Sequence, residues 1–136
     1  MMNSLYSRID VMAKAMDASW KRNEVIANNI ANVNTPGFKK STVEFERILQ
    51  DVLNGSALQG SLTHERHIPI GGTDLQNVTH EVVRQHGYST RRDGNNVDID
   101  VEMAERAKNE LLYQTLSTRV NSSFQKLKTA ITEGSK

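Results

Sequence analysis

The sequence predicts a mainly α-helical chain. A long helix at each terminus packs with the other as an antiparallel, coiled-coil-like pair, with a short third helix and an irregular insert between them. Three observations carry this prediction. Apolar residues keep a four-three spacing through the first quarter of the chain. A second apolar stripe, spaced near 3.6 on average, runs through the last quarter. Between them Gly55, Gly60, Pro69, Gly71, Gly72, Gly87 and Gly94 interrupt any period.

The first helix is read over about Ser4 to Val33. Leu5, Ile9, Met12, Met16, Ser19, Asn23, Ile26, Ile30 and Val33 form a heptad seam. At ~1.5 Å per residue the helix is about 45 Å long. Ser19 and Asn23 put polar groups on the seam. Two readings stay open for them. They are buried and fix register and partner number at a cost in stability, or they sit in a solvated gap.

The run Ala27-Asn28-Asn29-Ile30-Ala31-Asn32-Val33-Asn34-Thr35-Pro36-Gly37-Phe38-Lys39 ends this helix in a tight turn. The residue before a proline is pushed out of the α region, which places the helix end near Val33 or Asn34. Pro36 presets φ for the first central position of a turn, and Gly37 supplies the positive φ that a type II turn needs at the second. Asn28, Asn29, Asn32 and Asn34 crowd the last turns. Asparagine is a mediocre helix former because its amide competes for backbone hydrogen bonds. So many together serve either helix-terminal capping or contacts with something outside the helix.

After the turn, Ser41-Thr42-Val43-Glu44 has the capping-box form, a hydroxyl followed three residues later by glutamate. Phe45, Ile48, Leu49, Val52 and Leu53 then line one face of a short helix that Asn54-Gly55 ends. From Gly55 to about Asn96 the signal fades, apart from extended pieces at His67–Ile70 and Val78–Val83. Some forty residues without clear elements is long for a compact domain, so this stretch is read as a mobile or partner-ordered insert. The last helix starts after Asn95-Asn96-Val97-Asp98-Ile99-Asp100, where Asp98 or Asp100 caps it and the acidic cluster suits its positive end. Val101, Ala104, Ala107, Leu111, Leu112, Tyr113, Leu116, Val120, Phe124, Leu127 and Ile131 carry its stripe, and Gly134 lies past its end. The expected organisation is therefore a helix over 1–34, a turn and short helix over 35–55, an insert over 56–97 and a helix over 98–136.

Composition narrows the function. Of 136 residues 37% are hydrophobic and 5% aromatic, with a single tryptophan, Trp20. That makes a thin core for a compact monomer and favours burial between chains. The formal net charge of +1 lacks the basic excess of a nucleic-acid binder. The absence of cysteine excludes disulfides, thiolate metal sites and cysteine nucleophiles. No stretch approaches the roughly 20 apolar residues of a membrane span. Met1 to Ala18 has no basic start and no apolar block, so no cleaved secretory signal is expected.

Catalytic motifs are missing as well. His64 and His67 flank Glu65, but a metal site needs more ligands, and the spacing is not the zinc-protease pattern. No carboxylate pair, nucleophile elbow or glycine-rich phosphate loop appears. No catalytic residues, no cofactor and no metal are expected.

The asparagine-rich run, Asn-Asn-Ile-Ala-Asn-Val-Asn-Thr-Pro-Gly-Phe-Lys over residues 28–39, resembles the N-terminal signature of the bacterial flagellar axial proteins, the family of rod, hook and hook-associated subunits. Gly94-Asn95-Asn96-Val97-Asp98-Ile99-Asp100-Val101-Glu102-Met103-Ala104, followed by Asn109-Glu110-Leu111-Leu112-Tyr113-Gln114, resembles the C-terminal part of a proximal rod subunit of that family. Together they cover the first forty and last forty or so residues. Hook and distal-rod members are much longer, with β-rich domains that cannot fit in this length.

The resemblance implies a structural subunit, exported through the flagellar type III apparatus without a cleaved signal. It implies helical stacking with itself and other rod and basal-body proteins into a drive shaft that crosses the cell-wall zone. The terminal helices line the shaft and are largely disordered at their ends before assembly. On the N-terminal side the residues expected to make subunit contacts are Leu5, Ile9, Met12, Met16, Asn23, Ile26, Asn28, Asn29, Ile30, Asn32, Val33, Asn34, Pro36 and Gly37. On the C-terminal side they are Leu112, Leu116, Val120, Phe124, Leu127 and Ile131. The alternative function is a soluble helical adaptor or export chaperone that pairs through its seams without polymerising.

Overall fold

The computed structural model describes residues 2–54, 75, 78–87, 89 and 91–133, with side chains from Tyr6 onward. In chain order the elements are α1 (Met2–Ala31), β1 (Ser41–Glu44), α2 (Glu46–Leu53), β2 (Glu81–Arg84) and α3 (Ile99–Glu133). The expected mainly helical plan is present, with a long helix at each end of the chain and a short one between.

α1 and α3 pack against each other in opposite directions. Asn29 meets Glu102, Ser19 meets Asn109, and Arg8 and Arg119 line one groove. Residue numbers thus fall along α1 as they rise along α3. The heptad seam of α1 is the face that meets α3: Ser19 and Ile26 are buried, and Ile9, Met12, Met16, Asn23 and Ile30 are half-buried.

A second face of α1 carries Ala15 and Ala18. Ala18 is buried with Phe45 and Val78, and Ala15, Ile48, Leu49 and Val52 pack around them. Alanine at these two positions leaves room for the larger side chains of Phe45, Ile48, Leu49 and Val52. Burying the Phe45 ring contributes about 2–3 kcal/mol. This small cluster joins α2 to the helix pair and is the main apolar core among the described residues.

On α3 the stripe departs from its expected composition. The residues that turn inward are Glu102, Asn109, Tyr113, Leu116, Val120, Ser123 and Leu127. Phe124 and Ile131 are exposed at 51% and 64%. A helix that follows a heptad partner alternates steps of four and three, so after Leu116 and Val120 the next inward position is three residues on. Ser123, not Phe124, therefore takes the seam position.

Ser41–Glu44 corrects the capping-box reading, because these residues form strand β1. Two partners override the local signal. β2 pairs antiparallel with β1, in the register Ser41↔Arg84, Thr42↔Val83, Val43↔Val82 and Glu44↔Glu81. Asn29 of α1 takes both backbone groups of Ser41. α2 consequently starts at Glu46, with Phe45 at its N-cap making no side-chain cap. Its C-cap is Asn54, whose N–H reaches the Gln50 carbonyl at 2.9 Å. Glu44 and Glu81 face each other in the ribbon, and Arg47 hydrogen-bonds Glu44. That bond and the carboxylate charges hold the guanidinium above its ordinary value.

The expected insert 56–97 is not wholly irregular: β2 falls inside it, and Val78 is buried in the core. Residues 55–74 lie outside the described residues, and with them the His64–His67 pair and the extended piece His67–Ile70. The N-terminus of α3 follows expectation. Asp98 caps it, its carboxylate accepting the N–H groups of Asp100 at 3.0 Å and Val101 at 3.4 Å. Among the described residues no helix is long and apolar enough to cross a membrane.

Candidate functional site

The two sequence motifs meet in space and interlock. After Ala31 the chain turns through Asn32–Phe38, and Phe38 N–H reaches the Thr35 carbonyl at 3.2 Å around Pro36-Gly37. Gly37 has φ +70°, as a type II turn requires at its second central position. Gly94, at φ +75°, forms a second left-handed corner directly opposite. A methyl group added to Gly94 would lie 3.7 Å from the Gly37 Cα. The Gly37 N–H donates to the Asp93 carbonyl at 2.8 Å, and Lys39 Nζ donates to the Gly94 carbonyl at 2.8 Å.

Asn95 is the centre of this clasp and is fully buried. Its amide nitrogen donates to the carbonyls of Asn32, Val33 and Thr35 at 2.9, 3.0 and 2.9 Å. Its side-chain oxygen accepts the Val97 N–H at 2.7 Å, and its carbonyl accepts the Ser89 hydroxyl. The carbonyls of the turn after α1 lie outside any helix or strand ladder and need another donor. Here a residue sixty positions away supplies it. Arg91 adds a bond to the Val33 carbonyl at 3.1 Å and pairs with Asp93 at 2.8 Å. The Arg91 hydrogen bond, followed by the Asn95 N–H, holds the Asp93 carboxyl below its ordinary value.

Asn96 and Asn29 extend the clasp into the ribbon. Asn96 accepts the Lys40 N–H at 2.7 Å and donates to the Gln85 carbonyl at 3.1 Å, tying the start of β1 to the end of β2. Asn29 is 1% exposed. It accepts the Ser41 N–H at 3.0 Å and donates to the Ser41 carbonyl at 2.9 Å and to Glu102 Oε2 at 3.0 Å. The buried Glu102 carboxylate also faces Lys40 Nζ at 3.6 Å. One asparagine thus joins α1, β1 and α3.

A second polar cluster lies further along the seam. Ser19 donates to Asn109 Oδ1 at 2.8 Å, and Asn109 Nδ2 donates back to the Ser19 carbonyl and to Asn23 Oδ1, both at 2.9 Å. Of the two readings open for Ser19 and Asn23, burial with a partner is the one the fold adopts. Beside them Arg22 pairs with Glu46 at 2.6 Å and reaches the Val43 carbonyl at 3.4 Å. Partial burial works against ionisation of Glu46, but the Arg22 hydrogen bond and charge, with backbone bonds, hold its carboxyl below the ordinary value. No buried side-chain nitrogen or oxygen among the described residues lacks a partner.

The clasp binds residues 29–41 to residues 91–102, and the comparisons with known proteins place both halves. The family model described as "Flagella basal body rod protein" matches residues 9–39, the seam of α1 together with the turn. A Bacillus subtilis (strain 168) protein named flagellar basal body rod protein FlgB is 37% identical over 132 residues, covering 96% of this chain and 98% of its own length. The protein of the same name from Proteus mirabilis (strain HI4320) is 33% identical over 140 residues, covering 98% of this chain and all of its own. The one from Borrelia hermsii is 37% identical, covering 82% and 86%. The chain belongs to the flagellar basal body rod protein family.

Membership makes it a structural protein of the flagellar basal body. The rod family model ends at Lys39, so it takes in one half of the clasp; the full-length relatives span the other half as well.

The rod-family residues expected to make subunit contacts fall into three groups. Ile9, Met12, Met16, Asn23, Ile26, Ile30, Leu116, Val120 and Leu127 face the α1–α3 seam, buried or half-buried. Asn29 is spent inside the chain, and Asn32 is half-buried, its amide on the Asn28 carbonyl and its oxygen accepting the Thr35 hydroxyl. Asn28, Asn34, Pro36, Gly37, Leu112, Phe124 and Ile131 are exposed, whereas Val33 is half-buried. The side chain of Leu5 lies outside the described residues. Asn95, Asn109, Glu102 and Arg22 are the organising residues that were not singled out. A signal existed for two of them: Glu102 and Asn109 sit seven apart, in the heptad register that Leu116 and Ser123 continue.

Proposed function

We propose that this chain polymerises helically with other rod proteins into the proximal rod, the drive shaft of the flagellum. The observation that carries this reading is the clasp. It locks two helices of about 45 and 52 Å into one antiparallel unit. Outside their shared seam it leaves Tyr6, Trp20, Leu111, Phe124 and Ile131 more than half exposed. A protein built to stay monomeric rarely exposes that much large apolar surface along a single rod-like body. Asn28, Asn34, Phe124 and Ile131 are the proposed subunit contacts.

We assign the chain no catalytic step and no cofactor. Its partners in this reading are further copies, other rod and basal-body proteins, and the flagellar type III export apparatus, which delivers it to the cell-wall zone. Nucleic acid is not among them. Purification of hook–basal bodies tests the reading: the chain is expected in them in stoichiometric amounts. Retention in the cytosol of flagellated cells overturns the reading and favours the adaptor.

A further inference from the structure

The two flanks of α3 are unlike. At about 100° per residue, Val101, Glu105, Lys108 and Leu112 fall to one side of its inward row. There they line a cavity of about 530 Å³ between α1, β1 and α3, closed below by Val25 and Val43. Phe124, Lys128 and Ile131 fall to the other side, with the Phe124 and Ile131 side chains 51% and 64% exposed. We propose that the Phe124 flank of one subunit seats in this cavity of a second copy. The proposal rests on the rod reading and names the faces that meet.

Three observations point to a second copy as the occupant. Val25 and Val43 floor the cavity and Val101 and Leu112 edge it, an apolar strip for an aromatic ring within a rim that carries Arg22, Lys40 and Glu46. Charge is complementary along α3. The exposed charges of its first part are Asp100, Glu105 and Glu110 against Arg106 and Lys108; its remainder carries Arg119, Lys126 and Lys128 against Glu133. Glu105 lies at the cavity, held only by a surface pair with Lys108 at 3.7 Å. Such a pair is weak enough to exchange for Lys128 of a neighbour. Finally, knob and socket lie on different flanks of one molecule. A contact between unlike faces does not satisfy itself in a closed dimer and propagates into a ring or helix.

The absence of native cysteine makes the test direct. Val101 and Phe124 are 23 positions apart on one straight helix, about 35 Å. A disulfide needs Cα atoms within about 7 Å, so these two cannot close within a chain. Basal bodies assembled from the Val101→Cys, Phe124→Cys double variant are expected to give dimers and higher multiples on oxidation, dissolved by reductant. Either single variant gives none. A double variant that enters basal bodies and stays monomeric on oxidation overturns the proposal and leaves the rod reading intact. Absence of the wild-type chain from basal bodies sinks the rod reading itself. Should the double cysteine variant fail to assemble, charge exchange decides. Glu105→Lys and Lys128→Glu are each expected to lose swimming and to regain it when combined; no recovery in the combination overturns the proposal.

Discussion

Asn109 of α3 and Ser19 of α1 are bonded side chain to side chain at 2.8 Å in the middle of the helix seam, exposed at only 2% and 0%. Asn109 also returns a bond to the Ser19 carbonyl. This exchange sets the register of two long helices at one point, as a single polar pair does in coiled coils. Asn109→Ala strips partners from Ser19 and Asn23 inside the seam. A loss of about 1–3 kcal/mol is expected, read as a lower denaturant midpoint by circular dichroism. Asn109→Leu is expected to keep helix content but loosen the register, read as loss of swimming out of proportion to stability.

Asn95 predicts a sharper contrast. Its amide nitrogen serves three carbonyls of the turn that follows α1. Asn95→Ala removes those bonds and costs about 2–3 kcal/mol. Asn95→Asp retains the size but aims an anionic oxygen at the same carbonyls, so it is expected to be worse than alanine. Limited proteolysis around residues 32–40 measures both; an aspartate variant as resistant as wild type contradicts this account of the clasp.

Gly37 separates backbone strain from crowding. A methyl group there meets nothing within 4 Å, so Gly37→Ala is opposed by φ alone, about 1 kcal/mol. Gly37→Val adds a β-branched side chain at positive φ and is expected to impair assembly. Soft-agar swimming reads both, and a Gly37→Val strain that swims like wild type contradicts the turn argument.

Glu46 gives a pH dependence. Its folded carboxyl titrates below the ordinary glutamate value, as described above for its pairing with Arg22. Its contribution is therefore full above the unfolded value of about 4.3 and is lost as pH falls through the lowered folded value. The side chain is 61% exposed, so the effect is small. Wild type is expected to exceed Glu46→Gln in stability at neutral pH and to converge with it as the solution is acidified below about 4. A gap that widens on acidification contradicts the pairing.

How much was legible in the sequence depended on where each signal was stored. The seam of α1 from Ile9 to Ile30, the turn at Pro36-Gly37 and the Asp98 cap follow local rules and are present, although the helix stops at Ala31, before the end near Val33 or Asn34 that the proline predicted. Ser41–Glu44 had a strong local signal and became a strand, because the Ser41 backbone found better partners in Asn29 and β2 than a helix cap offers. Phe124 fitted a 3.6 stripe and lies outside the seam, because α3 follows the heptad of α1.

By itself the sequence determined two amphipathic helices, a glycine turn between unlike regions and the family to which both motifs point. Period, φ restriction and capping are properties of a few adjacent residues, so they can be read in one dimension. The tertiary structure alone decided what the asparagines do. An amide that caps a helix and one that bonds a turn sixty residues away are chemically the same. Only the folding of α3 back along α1 brings Asn95 to the turn after the first helix, Glu102 to Asn29 and Asn109 to Ser19. The cost of leaving a buried amide unpaired then selects that one arrangement.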